Sequence, residues 1–112
     1  MCIFCKIINK EIKSEFVYED ENFVVFKDIN PQAPIHLLIV PKKHIVNIND
    51  VDENNVEILK NVFLVAKKVA EKFNVKENGY RIVVNTNKDA GQEVFHIHFH
   101  FLAGRKFQWP PG

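Results

Sequence analysis

The alternating run HIHFHF at residues 96–101 is the feature that most constrains how this chain can fold. Side chains alternate between the two faces of a β-strand, so the three histidines would share one face and the apolar residues the other. The run therefore predicts a strand over 94–102 that packs on a core by its apolar side. That side would carry Phe95, Ile97, Phe99 and Phe101.

The histidine face of this strand has three candidate explanations: a metal ion, a bound substrate, or a chance set of solvated side chains. Next-but-one residues of a strand are roughly 6.6 Å apart, which places His96 and His100 roughly 13 Å apart. One zinc ion holds its nitrogen ligands at about 2.0–2.1 Å, so two neighbouring histidines could share an ion, but three in a row strain the geometry. A row of imidazoles better suits contacts with a substrate group, and a phosphate has the right size and charge.

The loop ahead of this strand also favours an anion. Gly91 and Gln92 place a flexible residue and an amide donor where backbone N–H groups can approach a phosphate. An ordinary loop is the alternative, and the combination with the histidines is what favours the phosphate interpretation.

The rest of the chain shows strand-like segments on both sides of one helical segment. The polar residues 20–22 separate two apolar segments and predict a hairpin, whereas the prolines of DINPQAP mark a loop at 28–34. The predicted strands are 16–19, 23–27, 35–40, 80–85 and 94–102. Their order favours an α+β domain, a five-stranded, mainly antiparallel sheet with one long helix on one face.

The long helix is predicted over 52–73, because apolar residues recur there at the spacing of a helix face. These residues are Val56, Leu59, Phe63, Ala66, Ala70 and Phe73. A capping box of Asp50 and Glu53 would begin the helix, and Asn74 would end it. Residues 3–10 are compatible with a second, short helix.

Length, charge and cysteine content bound the class of protein. The 112 residues suit a single domain over 1–112, and 15 basic against 14 acidic residues give a formal charge of +1. We therefore expect no nucleic-acid surface and no membrane anchor. The N-terminal residues lack the features of a signal peptide, which favours a cytoplasmic location. In that compartment the CxxC spacing of Cys2 and Cys5 indicates metal binding or redox chemistry rather than a structural disulfide.

Several segments resemble one known family. GQEVFHIHFHFLAGR resembles the signature of the histidine triad (HIT) hydrolases, in which three histidines alternate with apolar residues. DINPQAPIHLLIVPKKHI, YRIVVN and the terminal WPPG resemble the Hint branch of that family, the purine nucleoside phosphoramidases. The resemblance extends over nearly the whole chain.

This resemblance implies a fold, an assembly and an activity. The fold is HIT-like, in a homodimer whose two five-stranded sheets form one ten-stranded sheet. The activity is hydrolysis of the P–N or acyl-phosphate bond of purine nucleoside 5′-monophosphate derivatives (AMP or GMP) through a nucleotidyl-histidine intermediate, with no cofactor required for catalysis. A dinucleoside polyphosphate hydrolase and a nucleotide-binding regulatory protein with incidental catalysis are the alternatives.

The resemblance also implies catalytic roles for four histidines. His98 would be the nucleophile, and the backbone carbonyl of His96 would orient its ring. His36 and His100 would flank the phosphate and stabilise the transition state. As a further hypothesis, His100 would protonate the leaving amine.

Other matching positions imply a nucleotide pocket. Asp28 would bind the ribose hydroxyls, and Ile29 would lie beside the base with Phe4 and Ile12. The phosphate-side residues would be Asn85, Gly91, Gln92 and Val94, together with His98 and His100. Glu93 replaces a serine of many animal members, so phosphate contact there is expected from the backbone only. Trp109 would reach towards the partner's site, although packing in the dimer interface explains it equally well.

The cysteine pair matches a structural zinc site of some bacterial relatives. The four ligands here would be Cys2, Cys5, His44 and His96. Two thiolates and two imidazoles make a suitable tetrahedral set. Two unlinked, reduced thiols are the alternative.

Overall fold

A five-stranded antiparallel sheet is the centre of the fold. The computed structural model describes residues 2–112. The strands are Phe16–Glu19 (β1), Phe23–Lys27 (β2), Ile35–Pro41 (β3), Tyr80–Val83 (β4) and Phe99–Ala103 (β5), in the spatial order β1-β2-β3-β5-β4. The helices are Ile3–Ile8 (α1), Val56–Leu59 (α2), Val62–Lys72 (α3) and Asn87–Ala90 (α4), and a 3-10 turn spans Ile48–Asp50. The predicted α+β class and the antiparallel sheet are confirmed.

β1 and β2 form the predicted hairpin, whose turn is stabilised by Asp20. One carboxylate oxygen of Asp20 accepts hydrogen bonds from the N–H groups of Asn22 and Phe23, both at 2.8 Å. β2 then pairs along its whole length with β3, from Phe23 opposite Pro41 to Lys27 opposite Leu37.

Residues of β2 and β3 alternate between two buried clusters, one on each face of the sheet. The cluster on the α3 side includes Phe23, Val25, Leu37, Ile39, Phe99, Phe101, Val65 and Val69. The cluster on the α1 side consists of Phe4, Ile7, Val24, Phe26, Leu38 and Val40. The sheet is thus covered by α3 on one face and partly by α1 on the other, whereas the sequence predicted a cover on one face only.

The predicted helix over 52–73 is wrong over residues 52–55, and it is interrupted at residues 60–61, between α2 and α3. Asp52 accepts hydrogen bonds from the N–H groups of Asn54 and Asn55, so these residues form a turn, and α2 begins at Val56. Side chains of this kind bond nearby backbone groups and thereby compete with the helix. Asp50 lies in the 3-10 turn, and the expected capping box is not formed. The stop at Asn74 is confirmed, because its φ of 57° leaves the helical region.

The predicted strand over 94–102 is wrong at its start, since β5 begins only at Phe99. Before it, the N–H of Ile97 donates at 2.6 Å to the carbonyl of Ile45, which lies beyond the end of β3. Ile97, Phe99 and Phe101 are buried on the α3 side as predicted, but Phe95 is 48% exposed. The predicted strand over 80–85 ends at Val83, and the following loop contains α4, which ends at Gly91 with a φ of 81°.

Phe101 and Phe95 provide a matched test of this core. Phe101 is fully buried, so Phe101→Ala should lower the free energy of unfolding by about 3–5 kcal/mol through lost burial and a residual cavity. Phe95→Ala removes the same side chain from a half-exposed position and should cost about 1 kcal/mol or less. Urea denaturation of both variants measures the difference. Equal losses would contradict the assignment of Phe95 to the surface.

Candidate active site

A cavity of about 680 Å³ opens on the α1 side of the sheet, a volume typical of small-molecule sites. Its walls combine apolar and polar groups. The apolar residues include Phe4, Ile7 and Ile12 from the N-terminal region and Phe26 and Leu38 from the sheet; the polar residues include Asp28, His36, His98 and His100. Three of the five histidines therefore face one cavity.

His98 lies just before β5, and its ring is held in one orientation. Its Nδ1 lies 2.8 Å from the backbone carbonyl oxygen of His96, which can only accept, so Nδ1 carries the proton. With a single proton on the ring, Nε2 has a free lone pair. Phe4 of α1 packs edge-on against the ring, with centroids 5.1 Å apart and planes at 90°. His98 is only 8% exposed. The hydrogen bond to His96 and the packing of Phe4 together restrict the orientation of this buried ring.

His36 and His100 come together because of the register of β3 and β5. His36 lies opposite Leu102, and His100 lies opposite Leu38, which makes the two histidines diagonal neighbours on the α1 side. Long side chains reach each other across such a diagonal. The Nε2 of His36 and the Nδ1 of His100 are 2.9 Å apart.

A backbone N–H determines which of these two rings donates. The N–H of Gln32 donates to the Nδ1 of His36 at 3.0 Å, so a neutral His36 carries its proton on Nε2. That proton is donated to Nδ1 of His100, which leaves His100 with its own proton on Nε2. His100 is thereby a hydrogen-bond donor through Nε2.

Burial favours the neutral form of both rings of this pair. Burial lowers the pKa of His36, although the carboxylate of Asp28, 3.5 Å from Nε2, acts in the opposite direction. Burial, with the neighbouring His98 and His36, lowers the pKa of His100 to about 4. At neutral pH His100 would therefore meet an anion as a neutral N–H donor and not as a cation.

The loop between β2 and β3 brings Asp28 and Ile29 to the cavity. One oxygen of Asp28 accepts the N–H of Asn30 at 2.8 Å, and the other faces His36. Ile29 is fully exposed at the rim, where it presents an apolar surface. Asn85, Gly91, Glu93 and Val94 line the cavity from the opposite loop, and Ile12, Lys13 and Ser14 line it after α1.

Gln92 does not reach the cavity with its side chain. Its Nε2 donates to the carbonyls of Val46 and Val94, and its Oε1 accepts from the N–H of Asn87 and the side chain of Asn47. All of its amide hydrogen-bonding atoms therefore hold the loop together. The expected amide donor for a phosphate is thus a structural residue here.

The fourth histidine of interest, His96, turns away from the cavity towards the N-terminus. Its Nδ1 lies 3.4 Å from Sγ of Cys2, 3.5 Å from Sγ of Cys5 and 3.1 Å from Nδ1 of His44. His44 in turn lies 3.5 and 3.4 Å from the two sulfurs. Four metal-ligating atoms thus converge within 4.8 Å of one another.

The chemistry of these four groups suits a divalent metal. Ligands on a tetrahedron with Zn–S of about 2.3 Å and Zn–N of about 2.0–2.1 Å lie about 3.5 Å apart, close to the sulfur–nitrogen distances here. His96 donates from Nε2 to the carbonyl of Pro41 at 2.8 Å, so Nδ1 is unprotonated and its lone pair points at the cluster. Burial and the Cys2 sulfur raise the pKa of Cys5 to about 11, which a bound cation would reverse.

Comparison with known proteins identifies the family. The family model described as the HIT domain matches residues 9–107. The chain belongs to the HIT family. A purine nucleoside phosphoramidase of Escherichia coli K12 is 48% identical over 103 residues, which is 92% of this chain and 87% of that protein.

Solved structures of HIT proteins share the whole architecture. A HIT family hydrolase from Legionella pneumophila is 54% identical with a TM-score of 0.96, and the match covers 100% of both chains. A zinc-bound HIT protein from Mycobacterium smegmatis is 34% identical with a TM-score of 0.80, over 93% of this chain and 75% of that one. Within residues 2–112, no helix is long and apolar enough to cross a membrane.

Several residues of this HIT site were not predicted from the sequence. Lys13 and Ser14 line the cavity only because α1 folds back over the sheet, and no local pattern indicates this. Gln32 acts through its backbone N–H, which its residue type does not reveal. A signal was available in the spacing, since Gln32 precedes His36 by four residues in a proline-rich loop.

Proposed function

We propose that this HIT protein is a phosphoramidase that hydrolyses purine nucleoside 5′-phosphoramidates and related acyl-adenylates. The observation that carries the proposal is the orientation of His98: its Nδ1 proton is held by the His96 carbonyl, and its ring lines the cavity. The 48% identity to a purine nucleoside phosphoramidase supports the same activity.

The proposed reaction has two displacements at one phosphorus atom. Nε2 of His98 attacks the α-phosphorus, a P–N bond forms to the imidazole, and the bond to the leaving amine breaks as that amine takes up a proton. Water then displaces the imidazole, releasing the nucleoside monophosphate and restoring the ring. Two easier steps replace one difficult hydrolysis. The His96 carbonyl stabilises the positive charge that the ring acquires while it carries the nucleotidyl group.

His100 would act on a phosphate oxygen. The expected direct contact of His36 with the phosphate is not supported, because both its ring nitrogens are already bonded, Nδ1 to the N–H of Gln32 and Nε2 to His100; His36 would act through His100. His100 presents the Nε2 proton assigned by the Gln32–His36–His100 hydrogen bonds, and a donor aimed at developing negative charge lowers the barrier. Because the rings are already oriented, little reorganisation accompanies the reaction. The additional role of His100 as the acid for the leaving amine stays a prediction.

The remaining cavity residues would select the nucleoside. Asp28 offers a carboxylate as acceptor for ribose hydroxyls, and Ile29 and Phe4 offer apolar contact to a purine ring. Backbone groups around Gly91 and Val94, with the side chain of Asn85, would bind the phosphate. Glu93 also lines the cavity, so its carboxylate must stay clear of that anion.

We further propose that Cys2, Cys5, His44 and His96 hold a structural zinc ion. The convergence of two thiols and two imidazole Nδ1 atoms supports this, as does the zinc-bound relative. A bound ion would link α1 to the segment after β3 and to the residue that orients His98. Thiolate ligands of this kind suit the reducing cytoplasm, the location that we propose for this protein.

A homodimer is the assembly that we propose, with the two sheets joined into ten strands. β4 lies at an edge of the sheet, where main-chain groups can pair with a second copy. Phe63 and Leu64 of α3 are 69% and 56% exposed, an apolar surface that a partner would bury. Trp109 is 82% exposed, which suits a residue that reaches a partner.

The nucleophile is tested by covalent trapping. His98→Ala should lower kcat/KM for an adenosine phosphoramidate on the order of a thousandfold or more, because the attacking atom is lost. His100→Ala keeps the nucleophile and should accumulate an adenylyl-protein visible by intact mass spectrometry. The same measurement on the double variant His98→Ala/His100→Ala is the control and should show no adduct.

The alternative functions predict other outcomes of these assays. Tight nucleotide binding without adduct or turnover would indicate a regulatory protein. Faster cleavage of a dinucleoside polyphosphate than of any phosphoramidate would indicate the other hydrolase class. Either result contradicts the proposed function.

The metal proposal is tested by elemental analysis of protein purified without added zinc. About one zinc ion per chain is expected, and Cys5→Ser should lose most of it because one of four ligands is removed. His36→Ala removes a histidine that lines the cavity and lies outside this group of four, so this variant should retain the metal. Full zinc content in Cys5→Ser would refute this site.

The dimer is tested by sedimentation velocity. Wild-type protein should sediment as a dimer, and Phe63→Glu should shift it to monomer by placing a charge in the interface. Ile48→Glu, at a 48% exposed apolar position of the 3-10 turn, is the control and should leave the dimer intact. A monomeric wild type would count against the ten-stranded assembly.

A further inference from the structure

Arg105, just beyond the end of β5, is not among the residues that line the cavity. We propose that Arg105 is a positioning residue for the His36–His100 pair, acting through the backbone of Gln32. This inference rests on the proposed function, in which that pair acts on the phosphate through His100. It assigns a task to a side chain that lies outside the site itself.

The contact between Arg105 and Gln32 is directional. Nε and Nη2 of the guanidinium both donate to the carbonyl oxygen of Gln32, at 3.1 and 3.0 Å. Nη1 donates to the carbonyl of Lys106 at 3.4 Å, and the guanidinium lies 4.2 Å from the ring centroid of Phe107. A planar fork with two donors on one oxygen, stacked on an aromatic ring, holds that oxygen in one place.

The residue before Arg105 supports the same loop. Gly104 has a φ of 96°, and a Cβ there would lie 2.9 Å from Cβ of Pro34. The end of β5 therefore holds the loop at two points, Pro34 by close packing and Gln32 by hydrogen bonds. Bonds inside the loop, such as Gln32 Nε2 to the carbonyl of Asn30 at 3.1 Å, tie it to itself rather than to the sheet.

The other side of Gln32 reaches the histidine pair. Its N–H is the donor that excludes a proton from Nδ1 of His36, and so keeps the His36 proton on Nε2 facing His100. If Gln32 moves away, a proton on Nδ1 of His36 is no longer disfavoured. His36 in that tautomer has no Nε2 proton to donate, and His100 loses the partner that places its own proton on Nε2.

The direct test is the tautomer of His36, read by long-range ¹⁵N–¹H NMR correlation of the imidazole rings in labelled protein. Wild type should show His36 protonated on Nε2 alone. Arg105→Gln should give a mixture of both tautomers at His36, and Arg105→Lys, which keeps one cationic donor, should restore most of the wild-type pattern. His98 is an internal control, since the His96 carbonyl holds its Nδ1 proton independently of Arg105.

Arg81→Gln is the matched control variant. Arg81 also bonds a backbone carbonyl, that of Gln108 at 3.2 Å, and also lies over Phe107, at 5.1 Å from the ring centroid. It has no hydrogen bond to Gln32 among the residues that the structure describes. Arg81→Gln should therefore leave the His36 tautomer unchanged.

Kinetics provide a second readout. Arg105→Gln should lower kcat for an adenosine phosphoramidate about tenfold with KM nearly unchanged, because the pair acts on the transition state. A rise in KM alone would overturn the proposal in favour of simple support for ribose binding. If the wild-type protein is inactive, the proposed function is wrong, but the NMR test of the His36 tautomer still decides the role of Arg105.

Two NMR outcomes would also overturn the proposal. One is an Arg105→Gln protein whose His36 remains purely in the Nε2–H form. The other is loss of the Nδ1–H pattern at His98 in the same variant, which would make Arg105 a general support of the strand. A change confined to His36, absent in Arg81→Gln, supports it.

Discussion

The placement of one proton on each imidazole is the constraint on which the rest of this site depends. Backbone groups set it at three histidines: the Pro41 carbonyl for His96, the His96 carbonyl for His98 and the Gln32 N–H for His36. A carbonyl only accepts and an amide N–H only donates, so none of these contacts is reversible. Burial lowers the pKa of His36 and of His96, which favours the neutral form of these two rings. The proton pattern is therefore a property of the fold.

His96 connects the candidate metal site with the histidines of the cavity. Its ring faces Cys2, Cys5 and His44, while its backbone carbonyl orients His98. Helix α1 also links the candidate metal site to the cavity, through Cys2 at its start and Phe4 in its first turn. Cys2 accepts the N–H of Cys5 at 3.2 Å and so caps the helix, and Phe4, within its first turn, packs on the ring of His98. Six residues are too few for a stable helix alone, so α1 depends on these contacts and on its buried apolar side.

The sheet and the apolar half of the site were predictable because they follow from the pattern of apolar residues. Continuous apolar, β-branched runs predicted the strands β2 and β3, and both faces of these strands are buried. The start of the long helix was not predictable from its apolar spacing, because Asp52 bonds local N–H groups instead. Roles that use backbone atoms, such as that of Gln32, leave no mark on residue type. For Gln92 the residue type itself was misleading. Its side-chain amide was expected to donate to a phosphate, but it forms hydrogen bonds within the loop instead.

The departure of residues 96–98 from a regular strand gives the histidines their different positions. In an extended strand, carbonyls lie in the plane of the sheet and side chains stand perpendicular to it, so the ring of His98 could not reach the carbonyl two residues earlier. β3 ends at Pro41, and the N–H of Ile97 bonds Ile45 instead of continuing the β3–β5 ladder. The backbone before β5 is thereby free to bend and to bring the His96 carbonyl under the His98 ring. The apolar residues Ile97 and Phe99 keep the alternation and stay in the core, so the bend changes the histidine half of HIHFHF without exposing the other half.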